Sequence, residues 1–185
     1  MLHLSVIFMD SGQILLSLNY REMDYSKYSI EDCLFTAIKS EIEAKELYER
    51  IASKVNNMML KDRVLFLASE EVKHREYFEI LFKKLFPGKE LKLPEKSPVP
   101  LPEIELESEN ILLSEIITKA MEAEMSAFDF YMGMSEKFDD KDIKKMLKYI
   151  AYMEKGHYNL LELERRALEE TEDFEINWQM THVGP

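Results

Sequence analysis

The sequence predicts an all-α fold, a four-helix bundle in which one long connection separates the second helix from the third. Only five glycines occur in 185 residues, and long stretches are rich in Glu, Lys, Leu, Ala and Met, which favour helix. Five of the six prolines fall in a single segment, PGKELKLPEKSPVPLPEIELE, residues 87–107. The unusual polar residues of the first half recur in the second half at a constant offset of 83. The length suits one domain with a substantial core.

Residues 1–28 form an N-terminal extension whose texture differs from the rest. Within it, VIFMDSGQILLSL sets two short apolar runs around Asp10, Ser11 and Gly12, the pattern of a hairpin. This is either a small docking element or a peripheral extension upstream of a start at Met23. The domain proper spans 29–170. Its first helix begins after SIED, where Ser29 caps and Asp32 answers it, and runs to about Val55. The second follows Asn56-Asn57 and runs from about Leu60 to Phe86, where Pro87-Gly88 ends it. The third starts near Ser108 and runs to about Phe138; the fourth follows Asp139-Asp140 and runs to about Glu170. Residues 171–185, TEDFEINWQMTHVGP, lack helical periodicity and read as a C-terminal tail.

The long link selects the topology. Roughly 20 extended residues span about 60 Å, whereas a helix of about 28 residues is about 42 Å long. The connection can therefore travel the whole length of the bundle, as a ferritin-like crossover does.

Composition narrows the function. The formal net charge of −12 argues against nucleic acid or an anionic membrane as partner and suits a cation. A single cysteine, Cys33, excludes a disulfide framework and any rubredoxin or zinc-ribbon module, which need paired cysteines. No apolar run approaches a membrane span and the N-terminus lacks the pattern of a secretion signal, so a cytoplasmic protein is expected.

The repeat carries the chemistry. EIEAKELY places Glu41, Ala44 and Tyr48 as EMSAFDFY places Glu124, Ala127 and Tyr131. The second helix offers Glu71 and His74, the fourth Glu154 and His157, both as Glu-x-x-His on the apolar stripe. Ala37 and Ala68 match Ala120 and Ala151 under the same shift. Glu41 and Glu71 lie equally far from the turn at Asn56, as Glu124 and Glu154 do from Asp139. In antiparallel hairpins those pairs sit at one level, so four carboxylates meet mid-bundle with each histidine one turn from its own glutamate. The neighbouring acids Glu43, Glu70 and Glu122 are rotated off this stripe and are expected to be solvated. Four buried carboxylates repel one another and lose hydration unless they are protonated or bound to cations. Two Glu plus two Glu-x-x-His is the ligand set of di-iron and di-manganese carboxylate bundles.

These motifs, over about residues 29–170, resemble the rubrerythrin branch of the ferritin-like superfamily. The resemblance implies that Glu71 and Glu154 bridge two metals. Glu41 and His74 would complete one site, and Glu124 and His157 the other. Tyr48 and Tyr131 would bond ligand carboxylates from behind. The chain departs from typical rubrerythrins at Ala127, where they carry a further glutamate, and in lacking rubredoxin cysteines.

The expected protein holds two metal ions, iron first and manganese second, at a site open to dioxygen or hydrogen peroxide. Its expected activity is ferrous iron oxidation, or peroxide reduction with an external electron donor. Dimanganese catalase-like disproportionation and a non-catalytic metal-binding bundle are the competing readings. A homodimer is expected, with no nucleic acid or membrane partner.

Overall fold

The computed structural model describes residues 4–8, 14–18, 24–95, 97–98 and 112–182, with side chains described for 24–25, 27–95, 97–98 and 112–170. Strands β1 (Leu4–Phe8) and β2 (Ile14–Leu18) pair antiparallel, Leu4 opposite Leu18 and Phe8 opposite Ile14, as the sequence predicts. The turn at Asp10, Ser11 and Gly12 lies outside the described residues. The bundle consists of α1 (Ile30–Lys54), α2 (Met58–Leu85), α3 (Leu113–Ser135) and α4 (Lys141–His182). Among the described residues no helix is long and apolar enough to cross a membrane.

Local chemistry fixes most helix ends. Asp32 N–H donates to Ser29 Oγ at 3.0 Å while Ser29 N–H donates to Asp32 Oδ2 at 2.9 Å, a reciprocal cap that starts α1. Asn57 Oδ1 accepts from the N–H groups of Met59 and Leu60, so α2 starts slightly before Leu60. Asp140 Oδ1 does the same for Asp142 and Ile143 and starts α4. Beyond α2, Gly88 has φ of 80°, a conformation glycine adopts freely, and turns the chain into the crossover.

Three boundaries differ from expectation. Ser108, the expected start of the third helix, lies outside the described residues, and α3 begins at Leu113 with no side-chain cap. It ends at Ser135 because the N–H groups of Glu136, Lys137 and Phe138 bond three residues back, tightening the last turn. The tail expected from Thr171 onward is helical, and α4 continues to His182. The segment lacks the apolar period from which a helix is read, and the first strong breaker in the sequence is Gly184-Pro185.

The core has two apolar zones. One gathers Leu34, Ile38, Phe78, Phe82, Phe130, Met134 and Leu147; the other gathers Leu47, Ile51, Val64, Leu67, Ile117 and Leu161. Every helix passes through both zones. Between them each helix turns polar residues inward: Glu41, Glu71 with His74, Glu124, and Glu154 with His157, all buried.

The chain entering α1 is pinned by a glycine. A short 3-10 turn at Tyr25–Lys27 lays the Tyr25 ring over Gly133 of α3 and 5.9 Å from the Phe130 ring, while Lys137 Nζ donates to Tyr25 O at 2.6 Å. A Cβ at position 133 would overlap the Tyr25 ring. Gly133→Ala is therefore expected to destabilise the protein by about 1–3 kcal/mol. In a Tyr25→Ala background the same change is expected to be neutral or stabilising by up to about 1 kcal/mol, because only the helix preference for alanine remains. Chemical denaturation of the four proteins checks this; equal losses in both backgrounds would disprove the contact.

Candidate metal centre

The six inward residues meet as the sequence predicts. Their donor atoms form two overlapping groups, Glu41, Glu71, His74 and Glu154 in one and Glu71, Glu124, Glu154 and His157 in the other, with the atoms of each group within 4.8 Å of one another. His74 Nδ1 lies 2.9 Å from Glu154 Oε1, 3.1 Å from Glu71 Oε2 and 3.8 Å from Glu41 Oε2. His157 Nδ1 lies 3.0 Å from Glu154 Oε2, 3.2 Å from Glu71 Oε1 and 3.6 Å from Glu124 Oε2. Glu71 and Glu154 thus each give one oxygen to each half. The two imidazole rings are stacked, their centroids 5.7 Å apart and their planes 19° from parallel, across a local two-fold arrangement.

Glu41 and Glu124 behave differently. Tyr131 Oη donates to Glu41 Oε1 and Tyr48 Oη donates to Glu124 Oε1, which leaves one oxygen of each carboxylate facing the site. The bonds cross between helices: the α1 tyrosine holds the α3 glutamate, and the α3 tyrosine holds the α1 glutamate. Numbering already contains this pairing. In antiparallel helices, residues at one level have a constant sum, and 41 with 131 and 48 with 124 both sum to 172.

Burial and proximity set the protonation of the cluster. Burial and the charge of Glu154 push Glu41 well above the usual carboxylate range, against the pull of His74. Burial, together with the Glu71 charge, raises Glu124 to about 8. Burial would raise Glu71 as well, but its contacts with His157 and His74 hold it down to about 2. Burial would lower the histidines, yet the surrounding carboxylates push His157 up to about 12 and raise His74 further. Burial and the facing glutamates raise both tyrosines, so each keeps its hydroxyl proton as a donor.

These residues fit a metal pair. Glu71 Oε1, both oxygens of Glu154 and His157 Nδ1 are buried without a hydrogen-bond partner among the described residues, although they lie near one another. Donors about 2.1 Å from one cation and at right angles to each other are about 3 Å apart, which matches these spacings. Carboxylate oxygen with imidazole nitrogen suits iron or manganese.

The Rubrerythrin family model matches residues 32–165. The chain belongs to the rubrerythrin family. A solved structure of a hypothetical protein from Pyrococcus furiosus is 34% identical, covers 83% of this chain and 98% of its own, and superposes with a TM-score of 0.70. No curated protein matches the chain. In this rubrerythrin-family chain, Ala127 stands half-buried against the apolar core, one turn after Glu124.

One expectation fails. Glu43 and Glu122 are exposed as predicted, but Glu70 is buried and pairs with Lys73. A step of one residue rotates a side chain by only about 100°, which leaves Glu70 on the flank of the bundle, within reach of Lys73. Buried Glu164, bonded to Arg63 across α2 and α4, was also not singled out by the pattern; it lies outside the cluster.

The crossed tyrosines make a directional prediction. Tyr48→Phe is expected to weaken metal binding about 10- to 100-fold in the half containing His157, and Tyr131→Phe in the half containing His74. Stepwise metal titration combined with His74→Ala or His157→Ala identifies the half affected; weakening of the other half would refute the crossed support. Protonation gives a second prediction. The metal-free cluster holds a proton on each histidine and, below about pH 8, on Glu124, with Glu41 raised in the same direction, and cations must displace these protons. Affinity is therefore expected to rise from pH 6 to 8 with net proton release, by about tenfold per pH unit for each proton displaced. Calorimetric titration in buffers of different ionisation enthalpy counts those protons, and zero release would contradict the assigned protonation.

Proposed function

We propose that the six residues hold two iron ions and that the chain is an oxidoreductase acting on small oxidants. It oxidises ferrous iron with dioxygen or peroxide, or reduces peroxide with electrons from an external donor. The observation supporting this most directly is the division of Glu71 and Glu154, whose two oxygens face different halves of one buried cluster. When bound, the metal pair supplies the electrons, one from each ferrous ion, so that one hydrogen peroxide with two protons leaves as two waters.

The chain's own residues supply placement, charge and access. Glu71 and Glu154 tie the halves together, while the tyrosine hydroxyls hold Glu41 and Glu124 to one inward oxygen each. Four protein donors per half leave room for a small oxidant without displacing a ligand. The apolar zones above and below the polar layer exclude bulk water and disfavour larger substrates.

The test begins with elemental analysis of protein purified without added metal, followed by anaerobic loading with ferrous iron and addition of peroxide. The expected result is rapid oxidation consuming about one peroxide per two ferrous ions. Glu71→Ala is expected to lose both ions and the reaction, while His74→Ala retains about one ion. Peroxide disproportionation with manganese alone, or a bound pair that raises Tm but does not react, would overturn the proposal.

A further inference from the structure

We propose that Tyr131, Phe78 and Tyr77 form a one-electron route from the cluster to the surface of the bundle, which draws a stray oxidising equivalent out of the site and onto Tyr77. The inference rests on the peroxide reaction proposed above and extends it to a cluster holding a single ferrous ion. Tyr131, whose hydroxyl donates to Glu41, has its ring centroid 5.1 Å from that of Phe78, and Phe78 meets Tyr77 edge-on at 5.6 Å. Tyr131 and Phe78 are fully buried, whereas Tyr77 is half-buried.

The repeat singles out this chain of rings. The offset of 83 that matches Glu41 with Glu124 and Tyr48 with Tyr131 sets Tyr77 against Leu160, Phe78 against Leu161 and Phe130 against Leu47. Leu161 and Leu47 are buried, so leucine fills on one side the core that aromatic rings fill on the other. Packing alone is served by either residue type. Their electrons differ: leucine has no π system through which a neighbouring tyrosine could exchange charge. A symmetric ligand set thus has an asymmetric surround, with rings gathered beside Tyr131.

Electron count gives the route its task. Peroxide becomes two waters by taking two electrons and two protons, and a single ferrous ion supplies only one of the electrons. The second leaves Tyr131, whose phenol proton passes along its hydrogen bond to Glu41 Oε1. Tyr77 then refills Tyr131 through Phe78, which is too hard to oxidise to hold the charge itself. The first proton returns from Glu41 to Tyr131, and Tyr77 releases its own to solvent. In balance, one ferrous ion, one tyrosine, one peroxide and one proton give one ferric ion, one neutral radical on Tyr77 and two waters.

The test loads the chain anaerobically with one ferrous ion per molecule and adds peroxide with a nitrone spin trap. Iron oxidation is followed optically and peptide mass spectrometry locates the adduct. The adduct is expected on Tyr77, and loading with two ferrous ions is expected to suppress it. Phe78→Leu, which copies the other half, and Phe78→Met are each expected to oxidise iron and keep the parent's far-ultraviolet circular dichroism, yet lose most of the adduct. In Tyr77→Phe the radical is expected to stay on Tyr131, where freeze-quench electron paramagnetic resonance detects it. Oxidised iron with no adduct on Tyr77 would overturn the route and leave the reaction standing. So would an adduct on Tyr25 instead, reached through Phe130, whose ring lies 5.3 Å from Tyr131 and 5.9 Å from Tyr25. A Tyr77 adduct that survives both Phe78 substitutions would mean oxidation from solution and would refute the route. Failure of the iron to oxidise would overturn reaction and route together.

Discussion

Burying four carboxylates and two imidazoles in one layer of a helix bundle is the constraint around which the rest is arranged. Each group loses hydration on entering the core, and the carboxylates also repel one another. The structure reduces the cost in graded ways. The histidines stand between carboxylates, which holds Glu71 down to about 2 and pushes His157 up to about 12. Two tyrosine hydroxyls each neutralise one oxygen of Glu41 and Glu124. What is left over, the partnerless oxygens of Glu71 and Glu154, is what a pair of cations would satisfy.

The apolar zones above and below are the counterpart of that layer. Large side chains such as Phe78, Phe130 and Leu67 pack the bundle on either side of the cluster. A polar layer in mid-bundle also defines register, because sliding any helix by one turn would place a carboxylate among leucines and phenylalanines. Antiparallel geometry then makes one repeat serve twice: the offset of 83 that aligns ligands with ligands also brings each tyrosine to the other half's glutamate.

The site was legible because its residues violate the apolar stripe at fixed intervals, and a violation repeated at equal distance from two turns has few structural explanations. Helix starts at Ser29, Asn57 and Asp140 were legible through their capping side chains, which act locally. What escaped depends on surroundings rather than on period. The continuation of α4 to His182 carries no inward stripe to detect. The burial of Glu70 depends on how far the bundle flank reaches, which the apolar period does not record. The early end of α3 is set by backbone bonds that tighten its last turn and leave no mark in the apolar pattern.

The same repeat shows how far the outer faces of α2 and α4 diverge. Under the offset of 83, exposed Tyr149 and Leu163 correspond to exposed Phe66 and Ile80, so both helices carry large apolar residues on the outer face. The centres differ. Met153 and Gly156 on α4 correspond to Glu70 and Lys73 on α2, which form an ion pair. The inward residues are shared by the two halves because both halves line one buried cluster, while the outward faces diverge. Since Glu154 and His157 stand three residues apart on the inner face, the two positions between them, Lys155 and Gly156, both turn away from the cluster.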